Sequence, residues 1–334
     1  GELSGEALLY AGEARIRLGD VHREWNDLDS AAQHLTTGIE LAQRANPVAL
    51  LSGYFSQMRV QWIRGEPAAA LETWRQADRL AASFDFPHLK ERVAVHRAWL
   101  EFATGQAEAA RAWADTYLAH RAALREQVEV PIDLHETLLA RILIRHDRVP
   151  EALRVLEELR AEAEETGRGW TLIQTLNLQA LALDMQHQPE QALNTLQQAI
   201  TLAEPEDYVR LFVDEGEEMR LLLDKLRSLI QRQPDQQLDT YLSKLLAAFP
   251  AAAAVPHGEP NPVLQGLIEP LTARELEILR LLASGASNQQ IADRLVIGIG
   301  TVKAHLNHIF GKLHARNRVD AIAKARKLGL IDQI

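Results

Sequence analysis

One turn, repeated at nearly constant intervals, constrains this chain more than any other feature. The segments NDLDSAA, GEPAAAL, GQAEAAR, DRVPEAL and HQPEQAL align so that small residues coincide at Ala32, Ala70, Ala110, Ala152 and Ala192, at spacings of 38, 40, 42 and 40. Each turn follows a helical apolar pattern that ends near Trp25, Arg64, Thr104, Arg145 or Gln186. Each opens another, which carries Leu35, Trp74, Trp113, Leu156 or Leu196 about one helical turn beyond the alanine. A single helix pair cannot bury its apolar face, so pairs repeated at this period stack into a helical solenoid. Where the two helices of a pair cross, only a small side chain lets the backbones approach, which accounts for the alanines. The whole chain reads as all-α, with the solenoid over residues 1–205. Solenoids expose long surfaces, and binding is their usual use.

Several function classes drop out. Trp25, Trp62, Trp74, Trp99, Trp113 and Trp170 all lie in the solenoid. Their faces could stack on sugars or cations, but filling gaps between helices is the commoner role. His34, His96 and His135 lack metal-ligand spacing, so no metal site is expected. Acidic pairs such as Glu164–Glu165 and Glu217–Glu218 are neighbours on one helix, not partners across a cleft. With no Ser/His/Asp arrangement and no G-x-x-x-x-G-K-[ST] phosphate loop, no catalytic residue or cofactor is assigned and the chain is read as no enzyme. Zero cysteines exclude disulfides and thiolate chemistry. Without a long uncharged apolar run, a cytoplasmic setting and no membrane partner are expected.

The last part of the chain is organised by caps. Thr272 and Glu275 form a capping box, followed by Leu276, Leu279, Leu282 and Ala283 at helical spacing, with Gly285 placed to stop the helix. Ser287 and Gln290 form a second box, opening a short helix through Leu295 with Ile291, Ala292 and Leu295 inward. Gly298 and Gly300 break the chain. A third helix, about Thr301 to Leu313, buries Val302, Leu306, Ile309 and Leu313. A fourth begins near Asn317 and is expected to bury Val319, Ile322 and Ala323, with Leu328 beside them.

Two short helices joined by a tight turn describe a helix-turn-helix, whose second helix enters the major groove of double-stranded DNA. The third helix suits that role. Lys303 reaches a guanine edge or a phosphate, Asn307 can bond adenine bidentately, and Ala304 is small enough to approach a thymine methyl. Thr301 and the neighbouring amides can hold a phosphate. Charge supports this reading. From Pro270 to Ile334 there are ten Lys/Arg against five Asp/Glu, a surplus of five in a chain whose total is −10, so the rest carries −15. A basic terminal domain on an acidic body is the footprint of a DNA-binding module on a regulatory one.

The stretches LTARELEIL, GASNQQIADRL and TVKAHLNHIFGKL, followed by RNR and an Ala-rich helix, resemble the LuxR-type helix-turn-helix without a gap. The resemblance implies that Lys303, Ala304, Asn307 and His308 face bases, that Thr301 and Lys312 lie near the backbone, and that Asn288 belongs to the same DNA-binding set. It also implies pairing through the fourth helix, with Val319, Ala323 and Lys327 partly exposed in the monomer. Gly298 stands where the family usually has Ser at the recognition-helix cap, a change that costs a few tenths of a kcal/mol. The forty-residue pairs resemble tetratricopeptide repeats with a longer period than usual.

Residues 206–249 read as a helical connector. Tyr208, Val209, Leu211, Phe212 and Val213 form an apolar run, Asp214 caps a helix carrying Met219, Leu222, Leu223 and Leu226, and another short helix runs from Leu238 to Phe249. This stretch resembles the one before the DNA-binding domain of large MalT-like (LAL class) regulators, whose nucleotide-binding domain precedes the solenoid. Residues 250–270 hold five prolines and two glycines and read as a semi-rigid tether to the terminal domain, residues 271–334. The opening GELSGEALLY lacks Met and already sits in an amphipathic pattern, as expected of a piece of a longer chain. The function expected is a transcription regulator, an activator by resemblance. Its solenoid would sense a small molecule or protein, and it would bind DNA as a dimer or higher oligomer, with RNA polymerase as a further partner. The alternatives are a scaffold whose last domain binds protein, and a sigma-like module that acts only within polymerase.

Overall fold

The computed structural model describes residues 5–84, 87–127, 132–230, 236–250, 273–295 and 318–327, with 302, 305, 306, 309, 310, 313 and 315. Among these, regular structure is helical throughout. The chain divides into two compact units, Gly1–Pro256 and His257–Ile334.

The first unit begins with five helix pairs: α1 (Gly5–Glu24) with α2 (Leu28–Ala45), α3 (Pro47–Ile63) with α4 (Pro67–Ala82), α5 (Pro87–Ala103) with α6 (Ala107–Gln127), α7 (Asp133–Arg145) with α8 (Val149–Glu165), and α9 (Gly169–Met185) with α10 (Pro189–Ala203). The turn inside each pair has one geometry. Its second residue, Asn26, Gly65, Gly105, Asp147 or His187, is left-handed, with φ of 63°, 77°, 75°, 61° and 60°. The next amide reaches back five residues, as in Glu66 N to Gln61 O at 2.9 Å and Arg148 N to Leu143 O at 2.9 Å. This is the Schellman closure, which satisfies carbonyls that the helix end leaves without partners.

The repeat register is corrected at one place. Counting from the left-handed residue, the shared position is Ala31, not Ala32. Ala31, Ala70, Ala110, Ala152 and Ala192 are each 0% exposed, whereas Ala32 is half-buried. A slip of one residue turns a helical side chain by about 100°, so only one of two adjacent alanines can face the crossing. The second helices are amphipathic, while α9 buries ten of its 17 residues and α3 eight of its 17.

The segment read as a helical connector, residues 206–249, packs into the body's core. It contains α11 (Arg210–Val213), α12 (Glu217–Ile230) and α13 (Gln236–Ala248). Phe212, Met219, Leu223, Leu242 and Leu245 share one cluster with Ile173 and Leu176 of α9 and Leu196 and Ile200 of α10. Asp214 does not cap α12, which starts at Glu217. It follows α11 and pairs with Arg210 and Arg23. That last pair belongs to a contact between the ends of the stack. Val209 N donates to Glu24 O at 2.8 Å, the Trp25 indole to Glu206 O at 3.0 Å, and Arg210 Nη1 to Asn26 Oδ1 at 3.2 Å.

The second unit contains α14 (Ala273–Ala283), α15 (Asn288–Leu295) and α16 (Arg318–Lys327). Ile278, Leu279 and Leu282 of α14 and Ile291 of α15 pack with Val302, Leu306, Ile309, Leu313, Ala321 and Ala325.

Candidate nucleic-acid interface

The site is built on the joint between α14 and α15. Gly285 is left-handed at φ 88°, and Ala286 N closes onto Leu281 O at 3.1 Å. The capping box expected at Ser287 forms in both directions. Gln290 Oε1 accepts from Ser287 N at 2.8 Å, and Ser287 Oγ accepts from Gln290 N at 3.3 Å. The two bonds satisfy orphan amides and set the angle at which α15 leaves the turn. The apolar stripe read from the sequence is also in place: Val302 and Ile309 are fully buried, and Leu306 and Leu313 nearly so.

Asn288 is the first residue of α15 and is half-buried. Thr301, Lys303, Ala304, Asn307, His308 and Lys312 lie outside the described residues, as do Thr272 and Gly298. Val319, Ala323 and Lys327 lie on α16. Here the expected burial is corrected: Ala321 and Ala325 are the fully buried residues, Ile322 packs at their edge, and Ala323 is exposed. Alanines four apart share a face, and their small size lets α16 approach α14 closely.

Sequence reasoning missed Arg318. Its guanidinium Nη2 donates to Leu282 O at 3.0 Å and Ala286 O at 2.8 Å, so it ties α16 to the end of α14 and the turn before α15. On α16, Lys324 also pairs with Asp320 at 3.3 Å.

In the first unit the tryptophans mostly fill gaps, as expected. Trp62, Trp74 and Trp99 pack around Met58 and Ala70, Trp113 packs beside Ala114 and Tyr117, and Trp170 lies against the last core. Trp25 differs: it is exposed and spends its indole on Glu206. Charges are buried where the ends of the stack meet. Burial raises the Glu24 carboxyl, with Arg23 opposing it. Arg59, over the Trp99 ring at 5.3 Å, is lowered to about 10 by burial and then by Arg23 and Arg141. Glu136 is fully buried and accepts from Tyr117 at 3.0 Å, Arg121 at 2.9 Å and Arg125 at 3.1 Å.

Residues 2–229 match the family described as the MalT-like TPR region, which covers most of the chain. The chain belongs to this family. Residues 269–325 match the bacterial regulatory proteins of the luxR family. The MalT-like chain is 26% identical over 329 residues to the HTH-type transcriptional regulator MalT of Vibrio campbellii, covering 91% of this chain and 34% of the relative. It is 31% identical over 191 residues to the protein of that name from Klebsiella pneumoniae, covering 52% and 20%. Against the one from Yersinia enterocolitica it is 30% identical over 203 residues, covering 57% and 22%. The MalT-like chain thus matches between a fifth and about a third of the length of these curated relatives. Among the described residues, no helix is long and apolar enough to cross a membrane.

Proposed function

We propose that this chain is the effector-receiving and DNA-binding part of a transcription regulator. The supporting observation is the luxR-type match over residues 269–325, on a core whose stripe at Val302, Leu306, Ile309 and Leu313 is buried. At 3.6 residues per turn, that stripe leaves Ala304, Asn307 and His308 for the opposite face and Lys303 for its flank. In this reading Lys303, Ala304, Asn307 and His308 meet base edges, and Thr301, Lys312 and Asn288 meet the backbone. One small domain makes few base contacts. Two copies therefore pair through the α16 face around Val319, Ala323 and Lys327 and bind repeated half-sites. The solenoid receives a small molecule or a protein and controls that pairing, and the relatives' names favour a regulator over an enzyme. Activation through RNA polymerase is the expected output.

The test is DNA binding against salt. Several neutralised phosphates give a steeply negative slope of log K against log salt. The Lys303→Ala, Asn307→Ala double variant loses base preference and binds at least about tenfold more weakly. A flat salt plot, or full retention of base preference by the double variant, rules the reading out.

A further inference from the structure

A cavity of about 400 Å³ opens between α1, α3, α5, α6 and α7. Its wall holds a cation, Arg92. Arg92 donates from Nη2 to the Ser52 hydroxyl at 3.0 Å, and its guanidinium lies 5.7 Å over the Phe55 ring. Among the described residues no carboxylate bonds it. The charge that acts on it most is Arg17, another cation, and burial and that repulsion both lower its pKa. The two carboxylates at the cavity do not change this. Glu91 is exposed, and Glu13 lies at the rim, 3.8 Å from Arg17. A half-buried guanidinium whose bonded side-chain partner among the described residues is a hydroxyl keeps donors available for an anion.

The rest of the wall is aromatic and apolar. His96 stacks on Phe55 at 3.6 Å between centroids, and Tyr117 stacks on His135 at 5.5 Å. Burial holds both imidazoles neutral, His96 well below the ordinary histidine value and His135 at about 4. Neutral rings present flat faces and do not compete with Arg92 as cations. The His135 ring bonds the Glu91 backbone, and its Nδ1 is buried without a partner.

We propose that this cavity binds a small organic anion, with a carboxylate or phosphate head on Arg92 and an aromatic or similarly flat apolar body between the His96 and His135 rings. The bidentate fork of Arg92 suits either head, and the cavity has the size of an ordinary small-ligand site. This deepens the reading of the solenoid as effector-receiving and rests on it.

The experiment is calorimetric titration and thermal unfolding of the whole chain with five probes: 3-phenylpropionate, phenyl phosphate, neutral 3-phenylpropanamide, acetate and sulfate. At least one aromatic anion is expected to bind saturably and raise the Tm of the solenoid transition, while the amide, acetate and sulfate do not. The stronger of the two identifies the head group. Arg92→Met weakens that binding by about tenfold or more. Should Arg92→Met fail to fold by circular dichroism, Arg17→Gln decides, since its side chain is 69% exposed; it weakens the same binding severalfold. Binding of the amide equal to that of the anion, saturable binding by neither anion, or unchanged binding in the folded variant overturns the proposal. None of these readouts uses DNA, so its failure is separate from a failure of DNA binding.

Discussion

Arg318 and His135 show how much a single residue carries when its partners come from other helices. Arg318 holds two carbonyls of the α14–α15 joint. A charged hydrogen bond contributes about 1.5–3 kcal/mol, so Arg318→Ala should lower the stability of the terminal domain by about 2 kcal/mol, read as a lower denaturant midpoint. DNA affinity should fall with it, because the helix at the turn loses its anchor. His135 gives a pH dependence. Its pKa is depressed in the fold to about 4, while in the unfolded chain it is near 6.5. Between those values the unfolded chain binds the extra proton, so stability declines as pH falls through that window. His96 acts in the same direction, and Glu24, raised by burial, acts in the opposite one. The difference between wild type and His135→Gln isolates the one ring: Tm against pH should fall less steeply in the variant.

At the scale of the element, the caps and crossings determine where helices start and how closely they pack. The Ser287–Gln290 box was readable three residues apart in the sequence, and both of its bonds are present. Ser287→Ala removes one of them, at a cost of about 1 kcal/mol. Amide exchange should then quicken in the first turn of α15 and stay unchanged in the solenoid. The crossing of α1 and α2 is tighter than the alanine rule suggested. A Cβ on Gly38 would lie 2.9 Å from the Ile16 backbone nitrogen, and backbone cannot swing aside as a side-chain tip can. Gly38→Ala is therefore expected to destabilise the first unit by about 1–3 kcal/mol, seen as a lower Tm for its transition.

At the scale of the whole molecule, the first unit departs from a simple linear stack. In a solenoid each repeat touches only its neighbours, yet here Glu24, Trp25 and Asn26 bond residues 206, 209 and 210. Arg210→Ala should therefore loosen the end of α1 along with its own neighbourhood. Hydrogen exchange read by peptide mass checks this: protection should fall in peptides covering residues 20–27, and a change confined to residues 205–216 would show that the ends are not coupled. Arginines and carboxylates collect near that meeting point, where Arg23, Glu24, Arg59 and Asp214 act on one another.

What the sequence determined by itself was whatever depends on near neighbours. The helix pairs, the crossing alanines to within one residue, the Gly285 stop and the Ser287 box follow from spacing, since caps and helical faces act over three to five positions. The basic surplus of residues 270–334 inside an acidic chain is likewise a count. Tertiary structure decided the rest. Asn26, Asp147 and His187 take the left-handed position that Gly65 and Gly105 mark openly, because the Schellman bonds and packing outweigh a local steric cost of about 1–2 kcal/mol. Arg318 and Arg92 look like surface cations in one dimension, and the partners that define them belong to other helices. The joining of residues 206–249 to the last repeats and the meeting of the two ends depend on groups up to 184 positions apart. No periodicity encodes such a distance; only the packed chain brings those atoms together.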